Sequence, residues 1–378
     1  MSDAALRALL AARVPTAISE LHPYVPDPTV VPVRLDANEA PPLLPTLDDA
    51  ERAAWNAALQ AVEPARYPDV RAQTLRRLLA DRCMSDPSQL VIGCGSDEVI
   101  AMLLATLARP VDGVRACIVV PAPTFVMYRV SARVHGLDVF EVPLDEAFDL
   151  DEAAMIAAIR AHRPAVVFLA TPNNPTSAAF DRARVASIVE AAATIDPPCV
   201  VVIDEAYLAF RTGEHDPWGG DTGLSFQARF PHVAVLRTLS KIGLAALRVG
   251  WLVAHPLLAA ELEKVRLPYD LPSYSQAGAV AALTSLSRAI DRHVGAIVQE
   301  RARLVAELRR DRLDHPRADA NFVWLKLPRP AAEVVSRLRS RGVLVRGFAA
   351  YPDRLRVTVG TAAQDDRFLE ELRALLRA

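Results

Sequence analysis

A chain of 378 residues exceeds what one ordinary core fills at ~150 residues per domain, and 52% hydrophobic against 23% charged residues excludes a disordered chain. Lys and Arg number 43 and Asp and Glu 45, a formal net charge of −2, which gives no electrostatic support to a nucleic-acid or membrane-surface partner. No run approaches the ~18 apolar residues of a bilayer span, and the N-terminal MSDAALRALLAAR mixes acid and base, so the chain reads as soluble and cytoplasmic. Cys83, Cys94, Cys117 and Cys199 show no C-x-x-C pairing and no adjacent His cluster, which points to neither a zinc site nor a disulfide framework, and a reducing cytosol fits. The eight His residues, His22, His135, His162 and His293 among them, show no ligand spacing, so no metal is expected.

Taken in chain order, residues 1 to about 45 are Pro-punctuated and aperiodic (HPYVPDPTVVPV) and read as an extended arm outside the core. From about 50 to 265, short apolar runs alternate with helical stretches: QLVIG, ACIVV, AVVFLA, CVVVID, VAVLR and VGWLV. Such runs, separated by links long enough for helices, mark parallel strands buried on both faces of an α/β sheet. Ligands of such sheets sit beyond the carboxyl ends of the strands. The residues found there are Gly93 to Asp97, Pro123 to Phe125, Asn173 and Asn174, Asp204, and Ser240 with Lys241. Beyond about 270 a long helical pattern (SQAGAVAALTSLSRAIDRHVGAIVQERARLVAELRRDRL) precedes NFVWLKL, GVLVR, LRVTVG and a closing helix, a smaller α+β domain. Within it RARLVAELRRDR reads as a solvated face, because Glu300 and Glu307 intersperse it. The expected division is an arm over 1–47 that packs with the small domain and a partner subunit, a large domain over 48–268 and a small C-terminal domain over 269–378.

Lysine occurs at only three positions, so this chain uses Arg wherever a plain positive charge suffices. Lys264 reads as a solvated helix position and Lys326 as a strand position. Lys241 follows an apolar strand in TLSKIG, and only lysine offers an amine that can lose its proton and add to a carbonyl. In GCGSDEVIAMLLATLA, Ser96 is the expected N-cap with Asp97 and Glu98 in the first turn. Such a helix start would aim N–H groups at a phosphate; an ordinary capped helix after a tight turn fits as well. Asp204 ends the strand VVVID, where it either caps the next turn or meets a partner for its buried charge. Arg248 and the Ser240 hydroxyl could hold a phosphate, and Arg248 could equally form a surface ion pair.

The ordered set HPYVP, LDANEAP, RYPD, GCGSDE, PTFVMY, PNNPTS, VIDEAY, TLSK, GLAALRVGW, VRLPYDLPSYSQ and RVTVGT resembles the fold-type-I pyridoxal-phosphate aminotransferases, and within them the histidinol-phosphate aminotransferase family. The resemblance spans nearly the whole chain. It implies a mainly parallel seven-stranded sheet flanked by helices in the large domain, a smaller α+β domain, pyridoxal phosphate as cofactor, and a homodimer with shared active sites. By the same resemblance Lys241 would carry the cofactor covalently and move the proton of the substrate's α-carbon, and Asp204 would hold the pyridine nitrogen protonated. Asn174 and Tyr207 would bond the ring's 3′ oxygen and Phe125 would stack on the ring. The phosphate would rest on Ser96, Asp97, Ser240, Arg248 and a partner's Tyr67. Arg356 would pair with the substrate's anionic group, with Arg346 and Tyr24 adding phosphate contacts and Asn38 at the edge of the site; Arg346 could instead be a strand-edge charge, and Tyr24 an anchor for the arm.

Three departures stand out. Ser177 in PNNPTS occupies a position where relatives usually carry Gly, the spacing from Lys241 to Arg248 is short, and Asp36 and Ala40 in LDANEAP are less usual. The implied reaction is transamination between a phosphorylated amino alcohol, L-histidinol phosphate, and 2-oxoglutarate. Alternatives on the same fold are a threonine-phosphate decarboxylase and a broad aromatic aminotransferase.

Overall fold

The computed structural model describes residues 2–23, 25, 27–211 and 222–377. Its strands in chain order are β1 (Val33–Arg34), β2 (Leu90–Cys94), β3 (Cys117–Ala122), β4 (Asp138–Pro143), β5 (Val166–Ala170), β6 (Val200–Asp204), β7 (Val233–Thr238), β8 (Val249–Val253), β9 (Phe322–Lys326), β10 (Val343–Leu344), β11 (Arg346–Phe348) and β12 (Tyr351–Thr358). Seven of them form one sheet in the order β2-β8-β7-β6-β5-β3-β4. The six apolar runs are six of its strands, β2 at one edge and the others interior: β5 and β7 are buried at every position, because helices cover both faces.

Two strands depart from the sequence reading. VGWLV, expected among parallel strands, is β8 and runs antiparallel to both β7 and β2. The link 239–248 between β7 and β8 is too short for the helical crossover that a parallel return requires. The seventh strand, β4, has no continuous apolar run, since it sits at the sheet edge beside β3 with alternating exposed positions.

The arm also differs from expectation. Residues Asp3–Arg13 form a helix capped by Ser2, whose Oγ accepts from Ala5 N at 3.3 Å; a run rich in Ala, Leu and Arg has high helical propensity even without a buried face. Farther on the arm is core after all. Val33, Leu35, Leu43 and Leu47 are buried, and β1 pairs in parallel with β10 of the small domain.

The long helical pattern after 270 divides into Ser273–Leu283 and Ser287–Arg310. At the break the Thr284 hydroxyl bonds back to Val280 O at 2.7 Å, competing with the helical ladder. The first helix packs on helices Asp49–Gln60 and Gln73–Arg82; the second leads to the antiparallel sheet β11-β12-β9. Arg301, expected on a solvated face, is buried and donates to Phe210 O at 2.7 Å and Ala320 O at 2.9 Å, satisfying carbonyls that no ladder reaches. No helix among the described residues is long and apolar enough to cross a membrane.

Candidate active site

The residues singled out in the sequence meet beyond the carboxyl ends of strands in the seven-stranded sheet. β6 ends in Asp204, β7 runs on to Ser240 and Lys241, β2 to Ser96, β5 to Asn174 and β3 to Phe125. Because β8 is antiparallel, it starts where its neighbours end, and Arg248 joins the same end of the sheet.

Asp204 is 5% exposed; Tyr128 donates its hydroxyl to Oδ2 at 2.5 Å and Ala206 N donates to Oδ1 at 2.9 Å. Burial is the strongest influence and pushes this carboxyl up to about 6, against the lowering pull of those two donors; the charge of Asp97 raises it further and that of Lys241 lowers it. Tyr128 is held rigidly, stacked on Phe168 with centroids 4.5 Å apart and met edge-on by Phe125 at 5.5 Å. Burial and the adjacent Asp204 keep its hydroxyl protonated well beyond the usual tyrosine range. The sequence reading missed Tyr128. Its signal was the position three residues after Phe125, one turn along the same helix.

Lys241 Nζ lies 5.7 Å from the centroid of the Tyr207 ring. The Tyr207 hydroxyl accepts from Asn38 Nδ2 at 2.9 Å, which leaves its own proton to be donated elsewhere. Asn38, expected at the edge of the site, is instead buried beneath Tyr207: its N–H donates to Thr358 Oγ1 at 3.0 Å and its carbonyl accepts from Asn321 Nδ2 at 3.1 Å. A left-handed backbone at φ 55, which Asn tolerates, turns the side chain inward.

The helix Ser96–Thr106 begins one residue earlier than expected. Its N-cap is Gly95 at φ 86, with no side-chain cap, and Ser96 is the first helical residue. A serine cap would have occupied the first N–H groups; glycine leaves them open. The approach is tight, since a Cβ on Gly250 would land on Ser96 N and Gly95 C, and one on Gly95 would strike the Arg248 guanidinium. Arg248 Nη1 lies 3.5 Å from Ser240 Oγ, and Nη2 lies 3.6 Å from Asp97 Oδ2, with the side chain 43% exposed. Between Lys241 and Arg248 the chain turns through a kink, with Ile242 at φ −100 and Gly243 at φ 92.

Arg356 reaches the cluster from the small domain. Its guanidinium donates to Asn174 Oδ1 at 2.7 Å and to Asp36 O at 2.6 Å, and lies 5.4 Å from the ring centroid of Phe322. The unusual Asp36 therefore contributes a main-chain carbonyl here. Arg346 stands directly opposite Arg356 in the β11–β12 register. Tyr67 lies apart from the cluster of its own chain, 80% exposed and stacked on Tyr269 at 4.6 Å. Tyr24 lies outside the described residues.

Open helix N–H groups beside a guanidinium and a hydroxyl suit a phosphate. A buried carboxylate suits a protonated ring nitrogen, and an amine between them suits a carbonyl. These residues fit pyridoxal phosphate.

Comparison with known proteins agrees. A family model for class I and II aminotransferases matches residues 32–372. Histidinol-phosphate aminotransferase 2 of Nitrosococcus oceani is 39% identical over 350 residues, covering 90% of this chain and 91% of that protein. The histidinol-phosphate aminotransferase of Paracidovorax citrulli is 37% identical over the whole of both chains. In fold, the histidinol-phosphate aminotransferase of Sinorhizobium meliloti in complex with pyridoxal-5′-phosphate superimposes with a TM-score of 0.81 at 23% identity, over 96% of this chain and 98% of that one. With a lysine, a buried aspartate and an open anion cradle gathered at the carboxyl ends of the strands, this chain belongs to the class I and II aminotransferases, enzymes that work through pyridoxal phosphate.

Proposed function

We propose that the protein transfers the amino group of L-histidinol phosphate to 2-oxoglutarate, giving imidazole-acetol phosphate and L-glutamate, as a step of histidine biosynthesis in the cytoplasm. The observation that carries this substrate is the end-to-end match, at 37% identity, to a protein named for it. Four cysteines that are all free of disulfides suit a reducing compartment.

Pyridoxal phosphate supplies a carbonyl for amines and a ring that draws electrons from the substrate's α-carbon. Lys241 is the residue that would hold it covalently, and Lys241 Nζ the base that would take the proton from the substrate's α-carbon and return it to the carbon that was the cofactor's carbonyl. Asp204, whose affinity for a proton is raised by burial and whose carboxyl is held by Tyr128 and Ala206, would hold the proton on the ring nitrogen. Tyr207 would donate its spare proton to the ring oxygen, and Asn174 its amide N–H, since its Oδ1 is taken by Arg356. Phe125 would cover the ring face. Ser96, Asp97, Ser240 and Arg248 would bind the phosphate. Arg356 would pair with the substrate carboxylate or phosphate, seconded by Arg346 and Tyr24.

The same reading makes the protein a homodimer with shared sites. Tyr67, Val70, Leu257, Leu267, Tyr269 and Tyr274 are all exposed, Tyr67 stacks on Tyr269, and Val70 and Leu267 border a cleft of about 920 Å³. Apolar groups gathered this way are what a partner surface covers. Tyr67 would then serve the partner's phosphate.

The test is spectroscopic. Cofactor-loaded protein treated with L-histidinol phosphate, without any keto acid, should pass to the aminated cofactor with its absorbance change, and 2-oxoglutarate should reverse it. Persistence of the original spectrum would show that the substrate is another.

A further inference from the structure

Ser177 is completely buried and holds φ 68, a conformation that a residue with a Cβ adopts at a cost and glycine adopts freely. Its main-chain bonds, from Ser177 N to Asn173 O at 2.8 Å and from Asp319 N to Ser177 O at 2.9 Å, would survive unchanged in glycine. The hydroxyl is what serine adds. Its Oγ donates to Phe322 O at 2.7 Å and accepts from Ala320 N at 3.1 Å, crossing from the PNNPTS loop to the first residue of β9.

Phe322 is where the two halves of the site touch. Its ring meets Tyr207 edge-on with centroids 5.0 Å apart, lies beneath the Arg356 guanidinium, and its backbone pairs with Thr358 in β12. Arg356 in turn donates to Asn174, three residues before Ser177. The circuit from loop to Phe322 to Arg356 and back to the loop is closed by that hydroxyl. The segment is tied independently nearby, by Ala179 N to Asp319 Oδ2 at 2.9 Å and Arg317 Nη2 to Ala179 O at 3.0 Å. Losing the hydroxyl would thus loosen Phe322 without detaching the strand.

We propose that Ser177 is a positioning residue whose hydroxyl clasps β9 to the PNNPTS loop and so sets the Arg356 guanidinium where it meets the anionic end of the substrate. This rests on the reading of Arg356 as the partner of that anion.

The experiment uses cofactor-loaded protein and maleate, an unreactive dicarboxylate, as the probe. Ser177→Gly removes the clasp together with the backbone cost, and Ser177→Ala removes the clasp alone. Ser177→Gly should melt at or above the wild-type temperature, bind maleate about two- to tenfold more weakly, the range expected for one net hydrogen bond, and raise KM for glutamate in proportion with kcat within about twofold. Ser177→Ala should weaken maleate binding equally while also melting lower. A Ser177→Gly protein that binds maleate as wild type does overturns the proposal, whatever Ser177→Ala does. Arg356→Met should abolish maleate binding. If it does not, the fault lies in the reading of Arg356, and the clasp falls with it.

Discussion

Replacing Asp204 with asparagine should stabilise the cofactor-free protein at neutral pH while weakening its hold on the cofactor. Burial lifts the Asp204 carboxyl from the ordinary 3.8 to about 6, although Tyr128, Ala206 and Lys241 all pull it down. That rise corresponds to roughly 3 kcal/mol of disfavoured charge. Below about pH 4 folded and unfolded chains both keep the proton. Between about pH 4 and 6 the folded carboxyl keeps it while the unfolded one gives it up, so stability declines as the pH rises, and above about pH 6 the whole contribution is lost. Asparagine titrates in neither state. Its amide fits the Tyr128 and Ala206 donors less well, a loss of about 1 kcal/mol, which leaves a net gain of roughly 2 kcal/mol at pH 8. Urea denaturation of cofactor-free wild type and Asp204→Asn between pH 4.5 and 8 measures this directly. The variant should lack the decline and stand above wild type at pH 8. With pyridoxal phosphate added the order should reverse, because a protonated ring nitrogen compensates the buried carboxylate and cannot compensate an amide. A cofactor-free variant no more stable than wild type at pH 8 would refute the argument, since Asp204 would then be comfortable as an anion without any ligand.

Gly250→Ala places a Cβ on Ser96 N and Gly95 C, main-chain atoms that cannot step aside; the expected loss is about 1–3 kcal/mol, read as a lower melting temperature together with reduced cofactor absorbance at fixed pyridoxal phosphate. Glu205 accepts from buried Arg237 Nε at 2.9 Å and also from Gly223 N. Glu205→Leu should therefore cost about 3–5 kcal/mol in urea denaturation, far more than any exposed pair such as Lys264 with Glu261. Tyr67→Ala should leave unfolding within about 0.5 kcal/mol of wild type yet lower activity. Mixing its subunits with inactive Lys241→Ala subunits should restore turnover, because the mixed dimer holds one site with both residues intact. If Tyr67 served its own chain, no mixed site would be whole and turnover would not rise above that of the Tyr67→Ala protein.

The residues proposed to carry the chemistry were legible because they sit at strand ends. Lys241, Asp204 and Asn174 each follow an apolar run, and strand ends of a parallel sheet converge whatever the links between them do. The residues that hold them in place were not, since their meaning comes from partners far along the chain. Tyr128 explains itself only beside Asp204, 76 positions away, and the Ser177 hydroxyl only beside Phe322, 145 positions away. The direction of β8 was hidden for a related reason: composition marks a strand as buried but carries no sign of which way it runs, and here the short link decided it. Register was equally hidden, and it bears on function. The β11–β12 pairing sets Arg346 directly across from Arg356 on one face of the small sheet. Like charges so placed repel and destabilise a sheet by about 0.2–1 kcal/mol. A sheet serving only as scaffold gains nothing from that arrangement, whereas one that receives an anion between the two guanidiniums recovers the repulsion as binding energy at the moment the ligand arrives.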